Sequence, residues 1–186
     1  GEALRRLVGK AIISSTRQEV QKACGAIQVA GGLSGACEAA ARSIQEMWDE
    51  PDTEVVLLVD ARNAFNMMAR VRALRTARDR CPQIAVALHN FYGAETALHL
   101  GDGLRIVSRE GTTQGCPLGM AMFAISTLPL IECTAGEGAR QCWYADDSGG
   151  LGTVRGVRAW FGRLQSAGKE FGYEVKLPKK IGRAHV

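Results

Sequence analysis

The sequence has 186 residues, enough for one domain or for one domain with part of a second, and 46% hydrophobic with 23% charged residues is an ordinary globular composition. A net charge of +4, from 23 basic and 19 acidic residues, permits nucleic-acid binding without arguing for it. The longest apolar stretch, Cys116 to Cys133, is interrupted by Pro117, Gly119 and Pro129 and lacks basic flanks, so it is not read as a membrane span.

Six cysteines with no CxxC pair, and only three histidines, argue against a zinc site. They are read as reduced thiols of an intracellular protein. The N-terminus lacks a charged-then-apolar signal pattern, and Gly1 is not a natural start, so the chain is read as a fragment.

Leu4 to Ile13 reads as a helix with Leu4, Leu7, Val8 and Ala11 on one face. The glycine-rich stretch from Gln28 to Gly35 reads as a loop, and Ala36 to Trp48 as a second helix ended by Asp49, Glu50 and Pro51. Val55 to Val59 is a continuous aliphatic run, which predicts a strand buried on both faces, with Asp60 at its end. Ala64 to Asp79 is predicted helical, and Pro82 opens a further helix to about Tyr92. Thr96 to Leu100 and Leu104 to Ser108 flank Gly101-Asp102-Gly103, a hairpin signal. Leu118 to Ile131 reads as a buried helix. Gln141 to Tyr144 and Ser148 to Leu151 flank Ala145-Asp146-Asp147 as a second hairpin. Val154, Val157, Phe161 and Leu164 recur at helical spacing, and Phe171 to Leu177 reads as a last strand. The predicted class is α+β, with helices on one side of a mostly antiparallel sheet. The basic residues cluster at Arg70 to Arg80 and Arg155 to Lys180; each cluster is read equally well as a solvated helix face.

Asp60 ends a strand, and Asp146 and Asp147 lie in a turn. Carboxylates placed this way can converge above a sheet edge and hold Mg²⁺, which favours oxygen ligands and takes one or two carboxylates beside phosphates and water. Two such ions suit in-line phosphoryl transfer. Successive strand residues point to opposite faces, so Asp146 is the more direct partner of Asp60, with Asp147 in support. Taken alone, Asp-Asp is merely a polar turn.

Three stretches in order change that reading. Val59-Asp60-Ala61-Arg62-Asn63-Ala64-Phe65-Asn66, then Gln114-Gly115-Cys116-Pro117-Leu118-Gly119, then Tyr144-Ala145-Asp146-Asp147 resemble the three catalytic motifs of reverse transcriptases, the second in the wording of non-LTR retrotransposons. Gln28 to Ala40 is similar to the glutamine- and glycine-containing region that precedes the first motif, and Gly172-Tyr173 followed by Lys179 to a later one. The resemblance covers most of residues 1 to 180. It implies a polymerase palm over 51–180, an antiparallel sheet backed by helices, with partial fingers over 1–50. It implies two Mg²⁺ ions, for which Mn²⁺ can substitute, on Asp60, Asp146 and Asp147.

Phe65 would lie beneath the sugar and reject a 2′-hydroxyl. Gln114 would touch the incoming nucleotide or template, and the backbone from Gly115 to Gly119 would pack near the base pair. Tyr144 would meet the primer end and Lys179 the triphosphate. Arg109 could reach phosphate, on charge alone. The partners implied are an RNA template, a DNA primer and deoxynucleoside triphosphates, with no membrane, in an intracellular setting, the nucleus included, for such an element.

Gly119-Met120 stands where Ser-Pro is common in that class, which places the chain in a divergent branch. The arginine-proline motif of the fingers is expected before Gly1, and thumb, endonuclease and zinc knuckle outside these residues. Residues 181–186, Ile-Gly-Arg-Ala-His-Val, match one reading frame of a sequencing-adapter tail and are expected to be a read-through artefact. An RNA-dependent RNA polymerase shares the palm architecture, but Phe65 and the tyrosine before Ala-Asp-Asp argue against it. A degenerate, non-catalytic nucleic-acid-binding remnant is the other alternative; the three intact aspartates argue against decay.

Overall fold

The computed structural model describes residues 2–99, 101 and 103–176. Two helices, α1 (Glu2–Cys24) and α2 (Ala36–Trp48), precede strand β1 (Val55–Val59). Helices α3 (Ala64–Met67), α4 (Arg70–Arg80) and α5 (Pro82–Tyr92) lead into the hairpin β2 (Thr96–His99) and β3 (Arg105–Ser108). Then come α6 (Gly119–Thr134), β4 (Ala139–Tyr144), β5 (Asp147–Gly152), α7 (Val154–Ala167) and a 3₁₀ turn, Gly168–Phe171. The class is α+β, as expected. One antiparallel sheet has the order β1-β5-β4, and β2-β3 forms a separate two-stranded sheet.

The helices do not all lie on one side of the larger sheet. On one face, Cys142 packs with Ala40 and Ile44 of α2. On the other face, α6 and α7 supply the main core, where Met122, Ile125, Leu130, Trp160 and Leu164 are fully buried with Trp143. α6 is apolar all round, as a central helix must be, and continues through Pro129. β5 carries glycine at 149, 150 and 152, and a Cβ on Gly150 would fall inside contact distance of the Trp160 ring. The bare backbone is what lets α7 lie so close to the sheet.

Four expectations are corrected. α1 runs further than Ile13 and turns a different face inward. Leu4, Leu7 and Val8 are exposed, whereas Thr16, Val20 and Cys24 are buried, and a Cβ on Gly9 would lie 3.4 Å from the Pro117 ring. Its orientation is set by the C-terminal half, where Glu19 accepts from the first amides of α5, Gln83 at 2.9 Å and Ile84 at 3.1 Å. β1 is not buried on both faces: it has only β5 beside it in the sheet, and Leu58 is 61% exposed. The helix expected over 64–79 is two helices. The break frees the Met68 carbonyl to accept from Gly111 N–H (2.9 Å) and the Ala69 N–H to donate to Phe171 (3.1 Å). Phe171 to Leu177 is no strand among the described residues. The chain leaves the 3₁₀ turn through Gly172 at φ +73° and makes a single antiparallel bridge, Val175 to Ala61.

The cysteines are all free thiols, as expected. Burial raises Cys24 to about 12 and Cys81 to about 11, so both are inert side chains of the core. Among the described residues no helix is long and apolar enough to cross a membrane.

Gly150→Ala should lower the unfolding free energy by about 1–3 kcal/mol through overpacking against Trp160. Urea denaturation followed by tryptophan fluorescence checks this, and an unchanged midpoint would contradict the packing described.

Candidate active site

The two sheet registers bring the aspartates to one end. Tyr144 pairs with Asp147 across the β4–β5 hairpin, leaving Ala145 and Asp146 as a two-residue turn. Val59 pairs with Ser148, so Asp60, one residue further along, comes out beside Asp147. The turn is tighter than the three-residue one expected. Ala145 adopts φ +53°, a region that costs a non-glycine residue about 1–2 kcal/mol. Such a conformation persists only where its surroundings enforce it. Here the buried Gln28 side chain bonds both backbone groups of Ala145. The Tyr173 hydroxyl donates to the Asp146 carbonyl (2.7 Å) and shares a hydrogen bond with Ser148 (3.0 Å). Its ring leans on Trp143, with centroids 5.4 Å apart.

Burial, and after it the negative charge of Asp60, pushes the Asp146 carboxyl above its usual range. Burial, then Asp146, then Asp60 does the same to Asp147. The charge of Asp60 thus bears on both Asp146 and Asp147. Asp60 also binds a cation already present in the chain: Lys176 Nζ lies 2.8 Å from its Oδ2. That bond raises the lysine pKa.

Phe65 is half-buried in α3 and stacks on Phe123, with centroids 4.3 Å apart and planes at 21°. Its carbonyl accepts from Thr112 N–H at 2.8 Å, which ties α3 to the loop carrying Gln114 and Gly115. Gly111 is needed at that junction, because it sits at φ +71° and a Cβ there would collide with the Phe65 and Asn66 carbonyls. Gln114 and Gly115 are exposed, and Gly115 adopts φ +77°. Tyr144 is half-buried at the end of β4. A groove of about 370 Å³ runs from α2 to the carboxylates, lined by Ile44, Leu58, Asp60, Tyr144 and Asp147 among others. Arg109 is paired with Glu95 at 2.9 Å. Lys179 lies outside the described residues.

Sequence reading missed the roles of Gln28, Tyr173 and Lys176. Gln28 and Tyr173 had been noted within softer motifs, and nothing local signals their contacts with the Asp-Asp turn.

Among the described residues no three Asp, Glu, His or Cys side chains close on one point as a ready-made metal cage. The donor set nonetheless fits Mg²⁺. It offers hard oxygen ligands only, carried by carboxylates whose mutual repulsion a cation would relieve, and one of them already attracts an ammonium group.

No protein-family model matches the chain, and no curated protein matches it in sequence. Solved structures do. Apo telomerase from Candida Tropicalis, truncated from its C-terminal domain, matches with a TM-score of 0.60 at 12% identity, over 98% of this chain and 41% of that one. Telomerase from the same organism, in complex with a TWJ fragment of telomeric RNA, matches with a TM-score of 0.53 at 12% identity, over 75% of this chain and 28% of that one. The chain thus spans less than half the length of either. The likeness is one of fold, shared with part of those telomerase chains.

The raised carboxyls make stability depend on pH. A folded-state pKa above the unfolded one means that the folded chain binds the proton more tightly. The stability this confers at low pH is lost as pH rises from the ordinary carboxylate range through the raised values. Asp147→Asn should therefore raise the urea midpoint at pH 7, and the gain should shrink as pH falls through the carboxylate range. Equal midpoints at pH 7 would show that the charges do not interact as described.

Proposed function

We propose that this chain is the catalytic core of an RNA-directed DNA polymerase of the non-LTR retrotransposon type. The observation that carries the reading is the meeting of Asp60, Asp146 and Asp147 at one sheet end within a reverse-transcriptase-like fold. The Cys116-Pro117-Leu118 wording of the second motif supports the non-LTR type. In this reading residues 1–50 belong to the fingers and 51–180 to the palm, and the protein works inside the cell.

Asp60, just past the end of β1, and Asp146, in the β4–β5 turn, would hold the metal, with Asp147 as a supporting ligand. The chemistry supplied by two bound Mg²⁺ ions, or by Mn²⁺, is stabilisation of the attacking and leaving oxygens of nucleotidyl transfer. The protein's own contribution is position and charge. Phe65, braced from behind by Phe123, presents a flat wall to the sugar of a deoxynucleoside triphosphate. Gln114 and the exposed Gly115 meet the nascent base pair on an RNA template, and Tyr144 meets the DNA primer end beside the groove. Lys179 approaches the triphosphate. Lys176, whose Nζ bonds Asp60 Oδ2, would compete with the metal for this carboxylate.

Primer extension on an RNA template with Mg²⁺ or Mn²⁺ tests the reading. Asp60→Asn or Asp146→Asn should each lower deoxynucleotide incorporation by a factor on the order of 100 or more. No incorporation by the protein carrying its flanking domains, with Asp146→Ala changing nothing, would sink it.

Phe65→Ala should shift selection toward ribonucleotides by about tenfold or more, read as the ratio of kcat/KM for the two sugars. An unchanged ratio would leave Phe65 as a core residue only.

A further inference from the structure

Gln28 is fully buried, yet its carboxamide carries two donors and an acceptor oxygen. Oε1 accepts from Ala145 N–H at 3.0 Å and, more distantly, from Ala30 N–H at 3.4 Å. Nε2 donates to the Ala145 carbonyl at 3.1 Å and to Thr127 Oγ1 at 2.9 Å. One side chain thus pairs with both backbone groups of one residue, as a neighbouring strand would. The main chain around it does the same a step earlier. Val29 N–H donates to the Trp143 carbonyl (2.9 Å), and Trp143 N–H donates to Ile27 (2.7 Å). Residues 27–29 are a short parallel partner for β4, and the Gln28 side chain carries that pairing beyond the end of the strand into the turn.

The orientation of the carboxamide is also fixed. The Thr127 hydroxyl gives its proton to the Ala124 carbonyl at 2.8 Å, so its oxygen is left to accept. It can satisfy the NH₂ end of Gln28 and not the oxygen end. With Nε2 held there, Oε1 faces Ala145 N–H. Ala145 is the residue at positive φ, where glycine would sit freely and alanine needs support. Tyr173 bonds the next carbonyl, on Asp146, and so does not by itself select the Ala145 conformation.

We propose that Gln28 is a positioning residue: it locks the Ala145–Asp146 turn in the conformation that brings the Asp146 carboxylate beside Asp60, so that divalent-cation affinity at these carboxylates depends on it. The consequence for metal rests on the polymerase reading above; the anchoring of the turn does not.

The test uses Gln28→Met, which keeps volume and removes the polar ends, and Thr127→Val as a milder variant that removes only the orienting hydroxyl. Two quantities are measured on the 186-residue chain: amide hydrogen exchange at Ala145, and Mn²⁺ affinity by water proton relaxation, with Asp146→Asn as the control that removes a ligand. Gln28→Met should speed exchange at Ala145 while Gly149 and Leu151 stay protected, and should weaken Mn²⁺ binding by about 10–100-fold. Thr127→Val should shift both the same way by less, and it decides the matter if Gln28→Met does not fold. Unchanged exchange at Ala145 would overturn the anchoring. Faster exchange with unchanged Mn²⁺ affinity would overturn the positioning role. If the wild-type chain binds no Mn²⁺, or Asp146→Asn binds it equally well, the metal site fails and its dependence on Gln28 with it, while the exchange data still decide the anchoring.

Discussion

Strand β5 runs between β1 and β4, and three of its six residues are glycines with close neighbours. A Cβ would meet Leu58 Cδ2 at 3.3 Å from Gly149, the Trp160 ring from Gly150 and the Gly138 carbonyl from Gly152. Glycine in a strand costs about 0.5–1 kcal/mol relative to alanine. The sheet offsets this by letting Trp160 close against bare backbone and by pairing β5 on both sides. The positions of the carboxylates follow from that strand. It aligns β1 and β4 with itself, and so fixes both Asp60 and the Asp146–Asp147 turn at a single end.

Features governed by neighbouring residues were legible in the sequence. The aliphatic run at 55–59, Pro82 at a helix start and the glycines of the 101–103 hairpin each act within a few positions, and the elements appear where expected. The periodicity of α7 was visible too, although Val154 on its expected stripe is exposed and Trp160 fills the centre. What was not legible depends on distant partners. The break at Met68–Ala69 exists because Gly111 and Phe171 supply hydrogen bonds there. The inward face of α1 is chosen by its contact with α5. Gln28 lies in what reads as a glycine-rich loop, and its partner is residue 145. The aspartates were legible only through the order of the motifs around them, because an Asp-Asp turn has no meaning by itself.

The charge pattern is similarly clearer once partners are seen. The arginine cluster of α4 is partly committed within the fold. Arg72 bonds Glu170 at 2.9 Å and Arg80 bonds Glu132 at 2.6 Å, and Arg70 is buried. Half-exposed pairs such as these add about 0–1 kcal/mol each. They do reduce the positive field that this helix face presents, so the solvated-face reading of the cluster describes it better than a continuous phosphate-binding stripe.

Arg70 itself has a separate effect. Its guanidinium bonds the carbonyls of Ser108, Glu110 and Gly111 and the Ser108 hydroxyl, and its amide bonds the Glu110 carboxylate. These bonds grip the base of the β2–β3 hairpin, whose Ile106 and Val107 remain exposed. A two-stranded hairpin is marginal on its own. The attachment of the described part of the hairpin to the helices therefore depends largely on one buried arginine.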